Sequence, residues 1–108
     1  MDRADDGGSS TVSITLLSVT PARGGRLFAL ASVAIDFDGV KIEVHGIRAL
    51  RADPVGTRIE LPKFRDASGF MRTAIILPEE LRGPIADIVL AGLVECGLAE
   101  RLFQDAAG

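Results

Sequence analysis

The chain has 108 residues, enough for one domain with a modest core, and 47% of them are hydrophobic while only 5% are aromatic, with no Trp and no Tyr. Its core must therefore be aliphatic, and so much apolar side chain in so small a domain predicts a further buried surface, that is, a homo-oligomer. A net charge of −3 argues against general nucleic-acid affinity, a single cysteine excludes an internal disulfide, and no apolar run is long enough for a membrane-spanning helix.

Charge is unevenly spread. Residues 1–11 carry one Arg against three Asp, residues 12–78 carry nine basic against six acidic side chains, and residues 79–108 carry two basic against six acidic. A basic middle thus lies between two acidic ends, and the overall balance conceals a candidate binding face. The opening Met-Asp-Arg-Ala-Asp-Asp lacks the basic and apolar regions of a signal peptide, so a cytoplasmic location without membrane contact is expected.

Residues 1–10 are polar, acidic and rich in Gly and Ser, which predicts a disordered tail. From Thr11 to Val19 apolar residues alternate at Val12, Ile14 and Leu16, then shift phase to Leu17 and Val19, the pattern of a strand with an irregularity. Pro21 to Gly25 reads as a turn. Arg26 to Phe37 is the clearest strand, with Leu27, Ala29, Ala31, Val33, Ile35 and Phe37 on one face and Phe28, Leu30, Ser32 and Ala34 on the other. That second face is apolar enough to predict a cover, either a helix or a partner subunit.

The Asp38-Gly39 step predicts a hairpin turn into a third strand, Val40 to Arg51. Its apolar phase inverts between Val44 and Ile47, which predicts a bulge at His45-Gly46, since one extra residue returns Ile47 to the face of Val44. Asp53 to Gly56 then turns into a fourth strand, Thr57 to Leu61, ended by Pro62. Lys63 to Gly69 reads as a polar loop and Phe70 to Leu77 as a fifth strand.

Beyond Pro78 the period becomes helical, with Leu81, Ile85, Ile88, Val89, Gly92, Leu93 and Cys96 on one stripe. Gly83-Pro84 is expected to restart the helix, Gly97 to cap it, and Leu98 to Phe103 to add a further turn. The fold class is therefore α+β: an antiparallel meander of about five strands followed by a C-terminal amphipathic helix. Residues 11–104 form the single domain and 105–108 a flexible end.

Chemistry-bearing side chains are sparse. His45 is the only histidine and Cys96 the only thiol, no motif links them, and neither a GxGxxG nor a Walker-type GxxxxGK[ST] loop is present. Carboxylates lack metal-ligand spacing, so no cofactor, metal or catalytic residue is assigned and a non-enzymatic role is expected. His45 reads as a strand residue filling space beside the bulge, and Cys96 as a small hydrophobe on the helix face. Arg48 and Arg51 read either as a solvated strand edge, with Glu43 or Asp53 as ion-pair partners, or as phosphate contacts, since a guanidinium fits phosphate oxygens in bidentate fashion.

Between Gly25 and Ile88 the punctuation Arg26-Leu27, His45-Gly46-Ile47-Arg48, Leu61-Pro62 and Arg82-Gly83-Pro84-Ile85 resembles the stage V sporulation protein G (SpoVG) family. Its members are small, dimeric bacterial regulators that bind nucleic acid and are linked to septation. The resemblance implies a homodimer that binds DNA or RNA through basic positions after the strand-ending proline and near the helix start. Lys63 and Arg65 match that character, Phe64 between them reads either as a ring that stacks on a base or as one tucked into the core from a surface loop, and Arg48, Arg72 and Arg82 complete the candidate nucleic-acid-binding set. The chain departs from the family in carrying Pro84 where a basic residue is usual, and Glu79 and Glu80 beside Arg82 lower the potential felt by a phosphate. That acidity leaves a second expectation open, a protein-interaction module that keeps the scaffold but has lost nucleic-acid binding and engages a protein partner.

Overall fold

The computed structural model describes residues 11–53 and 55–99. The expected tail at 1–10, Pro54 of the turn after Asp53, the turn expected beyond Ala99 and the C-terminal end at 105–108 lie outside the described residues.

Among the described residues, four strands form one antiparallel sheet in sequence order: β1 (Val12–Gly24), β2 (Leu27–Phe37), β3 (Val40–Arg51) and β4 (Thr57–Glu60). A separate two-stranded ribbon follows, β5 (Lys63–Arg65) against β6 (Met71–Thr73), and the helix α1 (Glu79–Glu95) is the last element among the described residues. The class is α+β, as the meander and the change of period predict. The expected fifth strand, however, is a short arm outside the main sheet. Only Met71–Thr73 of the expected 70–77 segment forms a strand, and its partner is the segment expected to be a loop.

Local chemistry explains most of the turns. Asp38 and Gly39 both take positive φ, 51° and 94°, the pair of values that a two-residue turn matching the sheet's twist requires. The first turn is tighter than expected, because β1 runs on through Pro21 to Gly24. Pro21 stands opposite Ala29, and among the described residues β1 is the edge of the sheet, the place where a strand accommodates proline.

Both predicted irregularities are present. The pairing of β1 with β2 slips between Leu16 and Ser18, and that of β2 with β3 slips between Ala31 and Val33, opposite Gly46 at φ 80°. The second slip keeps Val44 and Ile47 in the same buried layer.

The helix covers the face of β2 that carries Ala29, Ala31, Val33 and Ile35, and these pack with Val44, Ile47, Ala49, Leu81, Ile85, Val89 and Leu93 into one aliphatic core. Burying each large member fully contributes about 1.5–3 kcal/mol, which makes this seam the main source of stability. Phe28 departs from its expected face and joins the core, where the register slips between Leu27 and Ala29. Leu30, Ser32 and Ala34 remain on the face away from the helix.

Of the expected helical stripe, Leu81, Ile85, Val89, Gly92 and Leu93 are buried, Ile88 is half-buried and Cys96 is exposed. Cys96 is thus no core hydrophobe. The helix does not restart at Pro84 but runs through it from Glu79. Gly83 explains this, since a residue without Cβ removes much of the clash by which a proline ring expels its predecessor from helical geometry. At the far end Gly97 takes φ 77°, the Gly97 N–H donates to the Val94 carbonyl at 3.0 Å, and the Leu98 N–H donates to the Leu93 carbonyl at 2.8 Å, which is a Schellman closure. No helix among the described residues is long and apolar enough to cross a membrane.

Candidate functional site

The expected basic residues fall on the β3–β4 edge of the sheet, on the ribbon and at the helix start. Glu60 organises the first group. Its carboxylate lies 3.0 Å from Arg58 Nε, 3.4 Å from Lys63 Nζ and 3.9 Å from Arg48 Nη1, so one anion faces three cations. Strand pairing places them: Arg48 is opposite Glu60 in the β3–β4 ladder, and period two puts Arg58 on the same face as Glu60. Arg58 is absent from the expected set, although the Arg58-x-Glu60 spacing on a strand was a signal that would have found it.

The ribbon separates residues that the sequence places side by side. Lys63 pairs with Thr73 and Arg65 with Met71, and these four share one face; Phe64 pairs with Arg72 on the other. Phe64 is half exposed, outside the core cluster, and points away from the two cations that flank it. Arg65 donates from Nη1 to the Gly69 carbonyl at 2.7 Å, which spans the ribbon turn. Arg72 donates from Nε to Asp66 Oδ2 at 2.6 Å.

Asp66 is the keystone of that turn. Its Oδ1 accepts the N–H groups of Ser68 at 2.9 Å and Phe70 at 3.0 Å, while its own N–H donates to the Phe70 carbonyl at 2.9 Å. The bond from Arg72, above all, holds its carboxyl below the ordinary aspartate value, and the backbone N–H groups add to this.

Arg82 lies at the helix start, 3.4 Å from Glu79, and both side chains are well exposed. It shares with Lys63 and Glu60 the rim of an open groove of about 390 Å³, whose floor is Ile59, Ile75, Leu77 and Ile85. The structure therefore gathers Arg48, Arg58 and Lys63 around Glu60, sets Lys63 and Arg82 on the rim of one groove, directs Arg65 toward the ribbon tip, and turns Arg72 to the opposite ribbon face. Along the β4 edge and ribbon, Arg48, Arg58, Lys63, Arg65 and Arg72 outnumber Glu60 and Asp66, and that excess sits in a chain whose total charge is −3.

The remaining candidates resolve differently from expectation. Arg48 pairs with Glu60 and not with Glu43, while Asp53 is taken by Arg26, whose Nη1 donates to Oδ1 at 2.9 Å. Arg51 lies over the Phe28 ring, 5.0 Å from its centroid, a cation–π contact that ties the sheet corner to the core.

His45 does not fill interior space. It is exposed on the sheet face away from the helix, with Nδ1 at 2.8 Å from Ser32 Oγ and Nε2 at 3.0 Å from Glu43 Oε1. This hydrogen-bonded bridge spans the bulge, and it leaves His45 without any link to Cys96. Among the described residues no three His, Cys, Asp or Glu side chains converge as a metal-binding group.

Comparison with family models, with curated proteins and with solved structures returns no match for this chain.

Proposed function

We propose that the chain is a non-enzymatic, SpoVG-like regulatory protein that binds DNA or RNA as a homodimer, gripping the phosphate backbone with the β3–β4 edge, the ribbon and the helix start. One observation carries the reading: Arg48, Arg58 and Lys63 share the single carboxylate of Glu60, so a local cation excess survives ion pairing. Such an excess releases counterions on meeting phosphates and gives salt-dependent affinity. Two copies of the edge in a dimer would double the contact.

Fluorescence anisotropy of labelled DNA and RNA oligomers across a salt series tests it, with Lys63→Ala/Arg65→Ala as the paired variant. Affinity should fall linearly on log–log axes, and the double variant should lose about two units of slope. Absence of binding at about 50 mM salt, where phosphate contacts are strong, would sink the reading.

A second reading rests on a different observation. Arg72 and Arg82 are each paired with a carboxylate of their own, Asp66 and Glu79, and the groove beside Arg82 has an apolar floor. Both features suit a protein-interaction module on the same scaffold.

A further inference from the structure

Only five of the 108 residues are aromatic, all of them Phe, and two of these stand exposed on the ribbon. Phe64 is 50% exposed and Phe70 is 68% exposed. An aliphatic domain short of aromatics gains nothing in stability by leaving two of them in water, so their placement calls for a reason.

Their geometry supplies one. Phe64 faces Arg72 across the ribbon. The Asp66 N–H donates to the Phe70 carbonyl, which extends the ladder by one rung beyond Arg65 and Met71 and returns Phe70 to the face of Phe64 and Arg72. The two rings are therefore diagonal neighbours, about 7–8 Å apart at the backbone, with the Arg72 guanidinium beside them and fixed by Asp66. Lys63 and Arg65 occupy the reverse face of the same ribbon.

We infer that this ribbon face is a stacking platform for single-stranded nucleic acid, with successive bases on Phe64 and Phe70 and the strand's phosphates drawn by Arg72 and by the cations around the ribbon edge. The inference rests on the nucleic-acid reading above and narrows it to unpaired strands. In a duplex the bases are stacked on one another and closed to a protein ring, whereas an unpaired base offers its π-face to any exposed aromatic. A second protein chain fits this face less well. Two partly exposed rings supply at most a few hundred Å² against roughly 800 Å² per partner in a stable interface, and covering them would also strip water from the Arg72–Asp66 pair.

The experiment compares a labelled dT oligomer, an rU oligomer and a duplex of equal length, using the full chain and the variants Phe64→Ala, Phe70→Ala, their combination, and Phe64→Trp. Single strands should bind more tightly than duplex. Each alanine should weaken single-strand binding by about fivefold or more, the pair by more still, with the salt slope unchanged. Phe64→Trp should retain affinity, and its emission, the only Trp signal in the chain, should be quenched on adding dT or rU.

Equal affinity for duplex, an alanine pair that leaves single-strand binding intact, or an unquenched Trp would overturn the inference while leaving duplex binding to stand. Loss of a dimer in the alanine pair, seen by sedimentation, would likewise overturn it by assigning the face to a second copy. If the unaltered protein binds neither strand nor duplex, the broader reading fails first. Both rings are exposed, so the alanine variants should keep the parent's circular dichroism and melting temperature.

Discussion

Gly92 of α1 and Leu16 of β1 meet so closely that a Cβ built on Gly92 would stand 2.3 Å from Leu16 Cδ2, with Val19 Cγ2 at 3.4 Å. The helix settles onto the edge strand because this position has no side chain. Gly92→Val should therefore lower stability by about 2–3 kcal/mol through overpacking, a fall in Tm of roughly 10 °C or more. In a Leu16→Ala background the same substitution should cost less than half as much. Equal costs in both backgrounds, measured by urea unfolding, would refute the contact.

Asp66 and Arg72 make the ribbon pH-sensitive in a definite direction. The Asp66 carboxyl is held below its ordinary value, so its contribution is fully present above about pH 3.9 and is lost as pH falls through the lower, folded value. Amide resonances of Ser68 and Phe70, whose N–H groups bond to this carboxylate, should titrate with a midpoint below the ordinary aspartate value. Arg72→Ala should move that midpoint upward, and Asp66→Asn should abolish the transition.

Glu60 restrains three cations, and neutralising it should expose them. Glu60→Gln should raise oligonucleotide affinity several-fold at low salt, with the gain shrinking as salt rises, while lowering stability by about 1 kcal/mol or less, as for half-exposed ion pairs. An unchanged affinity, measured by anisotropy beside the parent protein, would remove the β3–β4 edge from the contact surface.

Cys96 is exposed at the helix end, and its thiol should react with an aromatic disulfide reagent in the native state. One thiol per chain should titrate without denaturant, and Cys96→Ser should change stability by no more than about 0.5 kcal/mol. A thiol that reacts only after unfolding would contradict its placement.

What the sequence disclosed depended on the range of the interaction involved. The Asp38-Gly39 turn, the His45-Gly46 bulge and the buried stripe from Leu81 to Leu93 are each set by chemistry within a few residues, and all were legible. The ribbon was not, because Lys63–Arg65 is too short to show a period and its pairing is decided by Asp66, which gathers the turn around itself. Pro84 misled in a similar way, since the absence of a Cβ at Gly83 outweighed the usual rule. For the candidate site, the residue types were legible but their grouping was not. Sharing of Glu60 by Arg48, Arg58 and Lys63 depends on which strands lie side by side, and the division of Phe64 from Lys63 and Arg65 depends on a strand forming where none was expected.

The extra residue at Gly46 also bears on how this chain can change over generations. β3 has two phases, joined at the bulge, and both must meet the same helix. Removing one codon from either half would turn an apolar row such as Ile47 and Ala49 toward water, so single-residue insertions and deletions in this strand should be purged. The ribbon tip meets no helix, so a change of length there would spare the core and break instead the bonds that Asp66 makes to Ser68 and Phe70.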